Sequence, residues 1–332
     1  MTAARRILVA DFGGTHARAA LAQVDGAGIS LSDLRAEGLA PTQTPAQWLA
    51  QYYAGLGRPP IVACAACAAG PLEQDGDDAV VHFTNRATEV RASALAAACG
   101  LERAELINDF AAVAHAIGAL VDDDVVMIGA GHALAGAAQV VLGPGTGLGV
   151  AIRVPQQRGA LVLPGEGGHS ALAPFDAETQ ALWPLLAGAR AQLSAEDILS
   201  GPGLKLLYSA CAIESGGVPD AALLPADIAE RGLSDIAQGH VADSACARAV
   251  QIFTRWLGHF AGSVALIAGA RGGVYIGGGI IPAWGARFDR AGFRAAFEAQ
   301  AAQRDYVKAI PSWLMQHPQP ALIGLAAFAR AR

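Results

Sequence analysis

Acidic side chains stand next to glycine-rich turns in this sequence, a combination that is typical of sites for phosphate groups. Asp11 ends a short apolar run and is followed by Gly13, Gly14 and Thr15. Glycine lets backbone N–H groups approach an anion, and a carboxylate at such a turn can hold a hydrated Mg²⁺ against nucleotide phosphates. Asp is also a common turn residue, so a purely structural role for Asp11 remains open.

Two further glycine clusters follow predicted strands. One spans residues 143–149 and contains Gly145, Thr146 and Gly147, and the other consists of Gly277, Gly278 and Gly279. Each cluster alone fits a tight turn, but the three clusters together favour phosphate binding. A P-loop is excluded because no Gly-Lys-Ser/Thr sequence occurs, and the dinucleotide-binding fingerprint is excluded because no Gly-x-Gly is followed three residues later by another glycine.

Asn108 and Asp109 stand between a predicted strand and a predicted helix. Asn and Asp are preferred caps at the N-terminus of a helix, which is a sufficient local explanation for both residues. A helix N-terminus also favours a negative charge, and an ionised carboxylate can accept a proton from a hydroxyl nucleophile. The sequence therefore leaves a capping role and a catalytic role open for Asp109, and the two can coexist.

Three more polar residues have types that suit a sugar. Glu166 and His169 lie in a glycine-rich loop, where paired polar side chains can hydrogen-bond neighbouring hydroxyl groups, although an exposed surface loop is the alternative. Glu196 follows Ser194 at a predicted helix start, where interaction with the helix dipole is a sufficient structural explanation. These residues point to carbohydrate binding only in combination with the phosphate loops.

The elements that carry these residues predict an α/β fold, because strands alternate with helices. A strand, a glycine loop with threonine and a second strand occur at residues 7–24 and again at 140–152, which indicates a duplicated architecture. The boundary between the copies is predicted near residue 120. The other predicted elements are strands at 61–69, 105–107 and 274–276, helices at 92–99, 110–120, 176–187, 242–268 and 321–330, a helix starting at Ser194, and a break at Ser200-Gly201-Pro202-Gly203.

Composition excludes several classes of function. The chain has 332 residues, which favours two domains, and its formal net charge of −6 argues against a nucleic-acid partner or an anionic membrane surface. Five cysteines, an odd number spread over a long chain, indicate reduced thiols, and Cys64 and Cys67 on an apolar strand are predicted to be buried rather than to form a metal pair. The apolar run after Arg5 and Arg6 is too short for a secretory signal, so we expect a cytoplasmic protein.

Six motifs in one order resemble the bacterial, proteobacterial-type glucokinase family of the hexokinase and actin-like ATPase superfamily. They are Asp11-Phe-Gly-Gly-Thr-His-Ala-Arg18, Leu106-Ile-Asn-Asp-Phe110, Gly145-Thr-Gly-Leu-Gly149, Leu163-Pro-Gly-Glu-Gly-Gly-His169, Leu199-Ser-Gly-Pro-Gly203 and Gly277-Gly-Gly-Ile280. Each motif is weak alone, but the ordered set is specific and runs nearly from end to end.

The resemblance implies a two-domain actin-like ATPase fold, of the ribonuclease H-like type, with a duplicated core and an inter-domain cleft. The smaller α/β domain would comprise residues 1–119, completed by a C-terminal helix at about 315–332, and the larger α/β domain would comprise residues 120–314. Closure of the cleft on the sugar would exclude water and limit ATP hydrolysis.

The resemblance also implies transfer of the γ-phosphoryl group of ATP to the 6-hydroxyl of glucose, with Asp109 as the general base. The sugar would be bound by Asn108, Asp109, Glu166, His169 and Glu196, and Asp11 would position Mg²⁺ through water. The phosphates would be flanked by Gly13, Gly14, Thr15, Gly145, Thr146 and Gly147, with Gly277, Gly278 and Gly279 near the adenosine.

Several alternatives stay open at this point. Residues 84–88 lack the Trp that the family pattern has shortly after Asn85, so another hexose or an amino sugar, such as mannose, fructose or glucosamine, is an alternative substrate. A non-catalytic sugar-binding regulator and an assembly ATPase are the alternatives from other classes. Homodimers are common among soluble enzymes, so a homodimer is left open, and neither a nucleic acid nor a membrane is an expected partner.

Overall fold

The protein is described by a computed structural model that covers residues 5–13, 16–26, 28–83 and 88–332. Its strands in these residues are β1 (Arg5–Phe12), β2 (His16–Val24), β3 (Ile29–Gly38), β4 (Ala63–Ala68), β5 (Leu72–Asp75), β6 (Asp78–His82), β7 (Glu89–Arg91), β8 (Glu105–Asn108), β9 (Val125–Gly129), β10 (Gln139–Pro144), β11 (Leu148–Pro155), β12 (Ala160–Gly165), β13 (Val274–Ile276) and β14 (Ser312–Met315). The α-helices of the same residues are α1 (Pro45–Gly55), α2 (Ala92–Cys99), α3 (Asp109–Ala116), α4 (Ala177–Ala187), α5 (Ala195–Ile198), α6 (Gly201–Glu214), α7 (Pro225–Ala237), α8 (Ala245–Ala268), α9 (Ile280–Trp284), α10 (Arg290–Glu298), α11 (Arg304–Lys308) and α12 (Pro320–Arg330).

The chain forms two compact units, and the first comprises Met1–Val121, Pro155–Pro164 and His317–Arg332. Its main sheet has the strand order β3-β2-β1-β4-β8, and β5, β6 and β7 form a small separate sheet. Strand β1 pairs antiparallel with β2 and parallel with β4, and β4 pairs parallel with β8. The carboxyl ends of β1, β4 and β8 therefore meet at one edge of the sheet.

Strand β1 is buried on both faces because it lies in the middle of this sheet. Its alternate residues supply two different cores: Leu8 and Ala10 pack with Trp48 of α1, whereas Ile7 and Val9 pack with residues of α12. A continuous apolar run is what a strand buried on both faces requires. The short apolar stretch in the sequence thus predicts the central strand correctly.

Helix α12 closes the first unit by packing along α3. The two helices approach so closely at Gly324 that a Cβ atom at this position would overlap the carbonyl oxygen of Ala112. Helix α3 begins at Asp109, so this contact fixes the helix that carries a predicted site residue.

The second unit comprises Asp122–Val154 and Gly165–Gln316. Within it, the strands lie in the order β11-β10-β13-β14-β9. Along the chain, β12 connects residues 155–164, which belong to the first unit, with the second segment of this unit. The three central residues of β10, Val140, Val141 and Leu142, are fully buried. The long helix α8 contributes Phe253 and Trp256 to the core of this unit.

The strand arrangement of the first unit recurs in the second. In the first, β1 pairs antiparallel with β2 and parallel with β4, and β4 pairs parallel with β8; in the second, β10 pairs antiparallel with β11 and parallel with β13, and β13 pairs parallel with β14. The predicted α/β class with a duplicated, ribonuclease H-like core is therefore confirmed. The predicted domain boundaries at residues 119 and 314, and the cleft, stay predictions.

Most predicted elements are present, with two corrections. The break predicted at residues 200–203 lies at Leu199 and Ser200, between α5 and α6. Residues 201–203 already form the first turn of α6, because Ser200 Oγ accepts a hydrogen bond from Gly203 N–H at 3.1 Å and Pro202 is tolerated in a first turn. The helix predicted over 110–120 ends at Ala116, and Ile117 is its C-cap. No helix in the described ranges is long and apolar enough to cross a membrane.

The close contact at Gly324 predicts that Gly324→Ala destabilises the protein. Alanine is favoured over glycine inside a helix by about 1 kcal/mol, but the added methyl group has no room against a backbone carbonyl, and such overpacking costs about 1–3 kcal/mol. Urea unfolding followed by circular dichroism measures the change. The matched control is Gly55→Ala at the end of α1, where a Cβ atom meets nothing within 4 Å and stability should be kept or slightly raised. Equal stability of the two variants would show that α3 and α12 are not held as described.

Candidate functional site

Three predicted site residues of the first unit lie at the carboxyl edge of its sheet. Asp11 is near the end of β1, and Asn108 and Asp109 stand where β8 passes into α3. Gly13 follows β1 and donates its backbone N–H to His16 O at 2.8 Å, which closes the turn into β2. Gly14 and Thr15, also predicted to flank phosphates, lie outside the described residues.

Asn108 is the N-cap of α3, as its residue type indicates. Its Oδ1 accepts hydrogen bonds from the N–H groups of Phe110 and Ala111 at 2.9 and 3.1 Å, and its Nδ2 donates to Gly70 O at 3.2 Å. Asp109 is the first residue of the helix, and its Oδ1 accepts from Phe110 N–H at 2.8 Å. The cap holds the backbone at residue 108 in place and thereby fixes the position of the next residue, Asp109.

Asp11 is an ionisable side chain in a largely dry position, since only 20% of its side chain is exposed. Burial raises the pKa of this carboxyl, and the Arg18 guanidinium and a hydrogen bond from the Cys67 thiol act in the opposite direction. Arg18 Nη1 lies 3.9 Å from Asp11 Oδ2, and Cys67 Sγ donates to Asp11 Oδ1 at 3.4 Å. The carboxylate is therefore held by two neighbours from the adjacent strands.

This donor set fits a hydrated Mg²⁺ better than a metal held by protein alone. Mg²⁺ commonly keeps several waters and is bound by one or two carboxylates together with substrate phosphates. No group of three or more His, Cys, Asp or Glu side chains that could hold a metal is found in residues 5–13, 16–26, 28–83 and 88–332. A single buried carboxylate such as Asp11 suits the hydrated form.

The glycine clusters of the second unit lie side by side. The loop after β10 turns on a hydrogen bond from Gly145 N–H to Gly147 O at 2.8 Å, and Gly279 N–H donates to Pro144 O at 3.1 Å. Gly278 has φ +78°, and a Cβ atom there would overlap the carbonyl oxygen of Pro144. Glycine is thus required where the loops after β10 and β13 touch, at the carboxyl ends of two parallel strands.

A cavity of about 420 Å³ opens beside this loop in the second unit. Thr146, Arg190, Glu196, Ser200 and Lys205 are among its lining residues. Ser200 caps α6, and the loop is tied to that helix by a hydrogen bond from Gly201 N–H to Gly145 O at 2.8 Å. Two basic side chains, Arg190 and Lys205, and two acidic ones, Glu196 and Asp197, therefore line this cavity. The residue-by-residue prediction missed Arg190, Ser200 and Lys205, although the Ser-Gly-Pro-Gly sequence carries the signal of a helix start.

Contacts with the backbone of Leu148 connect the segments that carry Glu166, His169 and Glu196. Glu196 Oε2 accepts the N–H of Leu148 at 2.8 Å. Gly168 packs so tightly that a Cβ atom on it would overlap the carbonyl oxygen of the same Leu148. Glu166 and His169, on either side of Gly168, are exposed, and Glu166 Oε2 lies 3.9 Å from His169 Nε2.

The contacts around Leu148 thus join two loops and the start of α5, and they present three polar side chains predicted to bind sugar. Chemically, the first unit offers carboxylates suited to accepting a proton and to holding a hydrated cation. The second unit offers basic side chains that can pair with an anion, beside polar groups suited to hydroxyls.

Comparison with known proteins agrees with this chemistry. The family model described as glucokinase matches residues 8–332. The chain is 38% identical over 321 residues to the glucokinase of Chromobacterium violaceum, covering 96% of this chain and 88% of that protein. The chain belongs to the glucokinase family. It is therefore a hexose kinase of the kind that phosphorylates glucose, and the predicted family and enzyme class are confirmed. This decides against the non-catalytic regulator and the assembly ATPase.

Solved structures show the same fold. A glucokinase from an Antarctic psychrotroph superposes with a TM-score of 0.85 at 32% identity, covering 98% of this chain and 99% of that chain. A glucokinase of the ROK family from Streptomyces griseus, solved with glucose and AMPPNP, superposes with a TM-score of 0.66 at 20% identity and covers 98% of this chain and all of that chain (100%). The second likeness shows the fold alone, which is the duplicated α/β core described above.

The contact between Gly168 and Leu148 predicts that Gly168→Ala impairs catalysis. The added methyl group must displace the loop that carries Glu166 and His169, and misplacement of a positioning group by about 1 Å can cost up to 100-fold in rate. We expect kcat/KM for glucose to fall at least about 10-fold. The matched control is Gly165→Ala in the same loop, where the nearest atom to a Cβ lies at 3.9 Å and the loss should be much smaller. Equal losses in both variants would contradict the role of this contact.

Proposed function

We propose that the chain transfers the γ-phosphoryl group of ATP to the 6-hydroxyl of glucose, with Asp109 as the general base. The observation that carries the proposal is the placement of Asp109 at the N-terminus of α3, at the same sheet edge as the partly buried Asp11. The helix N-terminus favours a negative charge on Asp109, which is the state that a base needs. Its side chain is partly exposed, so that a substrate can reach it.

The chemical step needs alignment and charge neutralisation more than covalent catalysis. Asp109 accepts the proton of the 6-hydroxyl while that oxygen bonds to the γ-phosphorus, and the bond from the γ-phosphorus to the bridging oxygen of ADP breaks. Proton transfer to a positioned carboxylate contributes typically 10² to 10⁴ in rate. ADP and glucose 6-phosphate are the products.

The proposal assigns the sugar hydroxyls to Asn108, Asp109, Glu166, His169 and Glu196. The geometry of two of these residues supports the assignment. Asn108 Nδ2 carries two N–H donors and uses one for Gly70 O, which leaves the second for a hydroxyl. Glu196 uses Oε2 for Leu148 N–H, which leaves Oε1. Each side chain is thus oriented by the protein through one polar atom and presents another.

The nucleotide is assigned to the glycine loops. Gly13, Gly14, Thr15, Gly145, Thr146 and Gly147 would flank the phosphates, and Gly277, Gly278 and Gly279 would lie near the adenosine. Arg190 and Lys205, which line the cavity beside Thr146, are the groups there that can pair with a phosphate. Asp11 would hold Mg²⁺ through water, and the bound ion would neutralise charge on the phosphates.

A cytoplasmic location belongs to the same proposal. All five cysteines are free and buried, and free thiols are the rule in reducing compartments. The homodimer stays a prediction, which light scattering of the purified protein tests.

Asp109→Asn is the direct test of the base. We expect kcat to fall about 10² to 10⁴-fold, because the amide cannot accept the proton, while KM for glucose changes little. The circular dichroism spectrum should not change, since the Asn108 cap remains. Asp123→Asn, an exposed residue outside the site, is the control and should keep full activity. Near-normal turnover of Asp109→Asn would leave residue 109 with a structural role only.

Substrate choice is tested with the wild-type chain. Formation of glucose 6-phosphate from glucose and MgATP is followed with an NADP-linked dehydrogenase, and ADP release is compared for mannose, fructose and glucosamine. Because a site built to hydrogen-bond hydroxyls rejects sugars that lack or misplace them, we expect kcat/KM for glucose to be at least about 10-fold higher. Parallel assays with ADP or polyphosphate as donor test the assignment of ATP. A higher kcat/KM for another sugar would replace glucose in the proposal.

A further inference from the structure

Three side chains lie in a row across neighbouring strands of the first unit. In the register of the sheet, Asp11 of β1 is opposite Arg18 of β2 on one side and opposite Cys67 of β4 on the other. Arg18 Nη1 lies 3.9 Å from Asp11 Oδ2, and Cys67 Sγ donates a hydrogen bond to Asp11 Oδ1 at 3.4 Å. Asp11 is thus held between a cation and a neutral thiol.

The row continues on the far side of Cys67. Cys67 pairs with Ile107 of β8, and β8 leads directly into α3, which begins at Asp109. Cys67 is thus flanked by the strand of Asp11 on one side and by the strand that precedes the proposed base on the other.

The thiol of Cys67 is fully buried, and its S–H group is a hydrogen-bond donor to Asp11 Oδ1. Aspartate or glutamate at the same position would bring a third negative charge to the edge.

We propose that Cys67 is a positioning residue for the phosphoryl transfer. Its S–H group fixes the orientation of the Asp11 carboxylate, which would hold the Mg²⁺ of the nucleotide through water. The inference rests on the proposed roles of Asp11 and Asp109. It concerns the nucleotide side of the reaction, because Asp11 is assigned to the metal and not to the sugar.

The experiment compares Cys67→Ser, Cys67→Ala and Cys67→Val in the full chain. Serine keeps a donor, alanine removes both the donor and volume, and valine fills the space without a donor. The first readout is the dissociation constant of MgAMPPNP measured by calorimetry, which requires no turnover. The second is the division of the kinetic effect between KM for MgATP, KM for glucose and kcat.

We expect Cys67→Ala and Cys67→Val to weaken MgAMPPNP binding about 3- to 10-fold. This effect is smaller than that of losing a strong hydrogen bond to a charged group, because a thiol is a weak donor. KM for MgATP should rise in parallel, with KM for glucose unchanged. Cys67→Ser should stay within about twofold of the wild-type chain, because a hydroxyl restores the donor.

Cys64→Ala is the matched control. Cys64 is a buried thiol of the same strand, but it packs in the core on the opposite face of the sheet, away from Asp11. Its removal should cost comparable stability, measured as Tm, and leave MgAMPPNP binding unchanged. If Cys67→Val does not fold, Cys67→Ala and Cys67→Ser still decide the result against this control.

Two results would overturn the inference. One is MgAMPPNP binding by Cys67→Ala equal to that of Cys64→Ala, and the other is a loss in Cys67→Ser as large as that in Cys67→Ala. Asp11→Asn separates this failure from failure of the proposed function. If Asp11→Asn weakens MgAMPPNP binding and Cys67→Ala does not, only the role of Cys67 is wrong. If Asp11→Asn itself has no effect, the assignment of Asp11 is wrong and the role of Cys67 falls with it.

Discussion

The partly buried carboxylate of Asp11 is the constraint on which the candidate site residues of the first unit depend. Its place near the end of β1, inside a five-stranded sheet, removes most water from it, and this desolvation is the main cause of its raised pKa. Arg18 and Cys67 offset part of that cost. Because the charged form is costly when alone, a hydrated cation bound as proposed would stabilise this carboxylate more than it would an exposed one.

The second unit has the same strand arrangement, but glycine loops follow its central strands. Its central strands β10 and β13 end in loops whose backbones touch, and Gly278 is required at that contact. A side chain there would force the two loops apart. The repeated topology therefore ends in a carboxylate, Asp11, in the first unit and in two touching glycine loops in the second.

The site motifs are predictable from sequence because their residue types serve local purposes that the sequence displays. Asn108 caps a helix, glycines follow strands, and Ser194 precedes α5. The edge strand β3 was not predicted because most of its residues are exposed and polar, so that its structure depends on pairing with β2. The contact of Cys67 with Asp11 was likewise not predictable from the sequence, in which Cys64 and Cys67 appear as one apolar pair. Only the register of β1 and β4 shows that Cys67 lies beside Asp11.

The cap of α3 and the proposed base are neighbouring residues at the junction of β8 and α3. Asn108 Oδ1 is committed to two N–H groups of the helix, and Nδ2 to Gly70, so the side chain that is proposed to touch the sugar is also the one that starts the helix. Asp109 follows it and takes its position from the same cap. If the proposed roles hold, a substitution at residue 108 would shift the base as well as remove a sugar contact, so its effect on kcat would not be separable from its effect on folding. Substitution of the Asp109 carboxylate leaves the Asn108 cap intact. A change in kcat in an Asp109 variant would therefore report on the chemical step, whereas a change in an Asn108 variant would not.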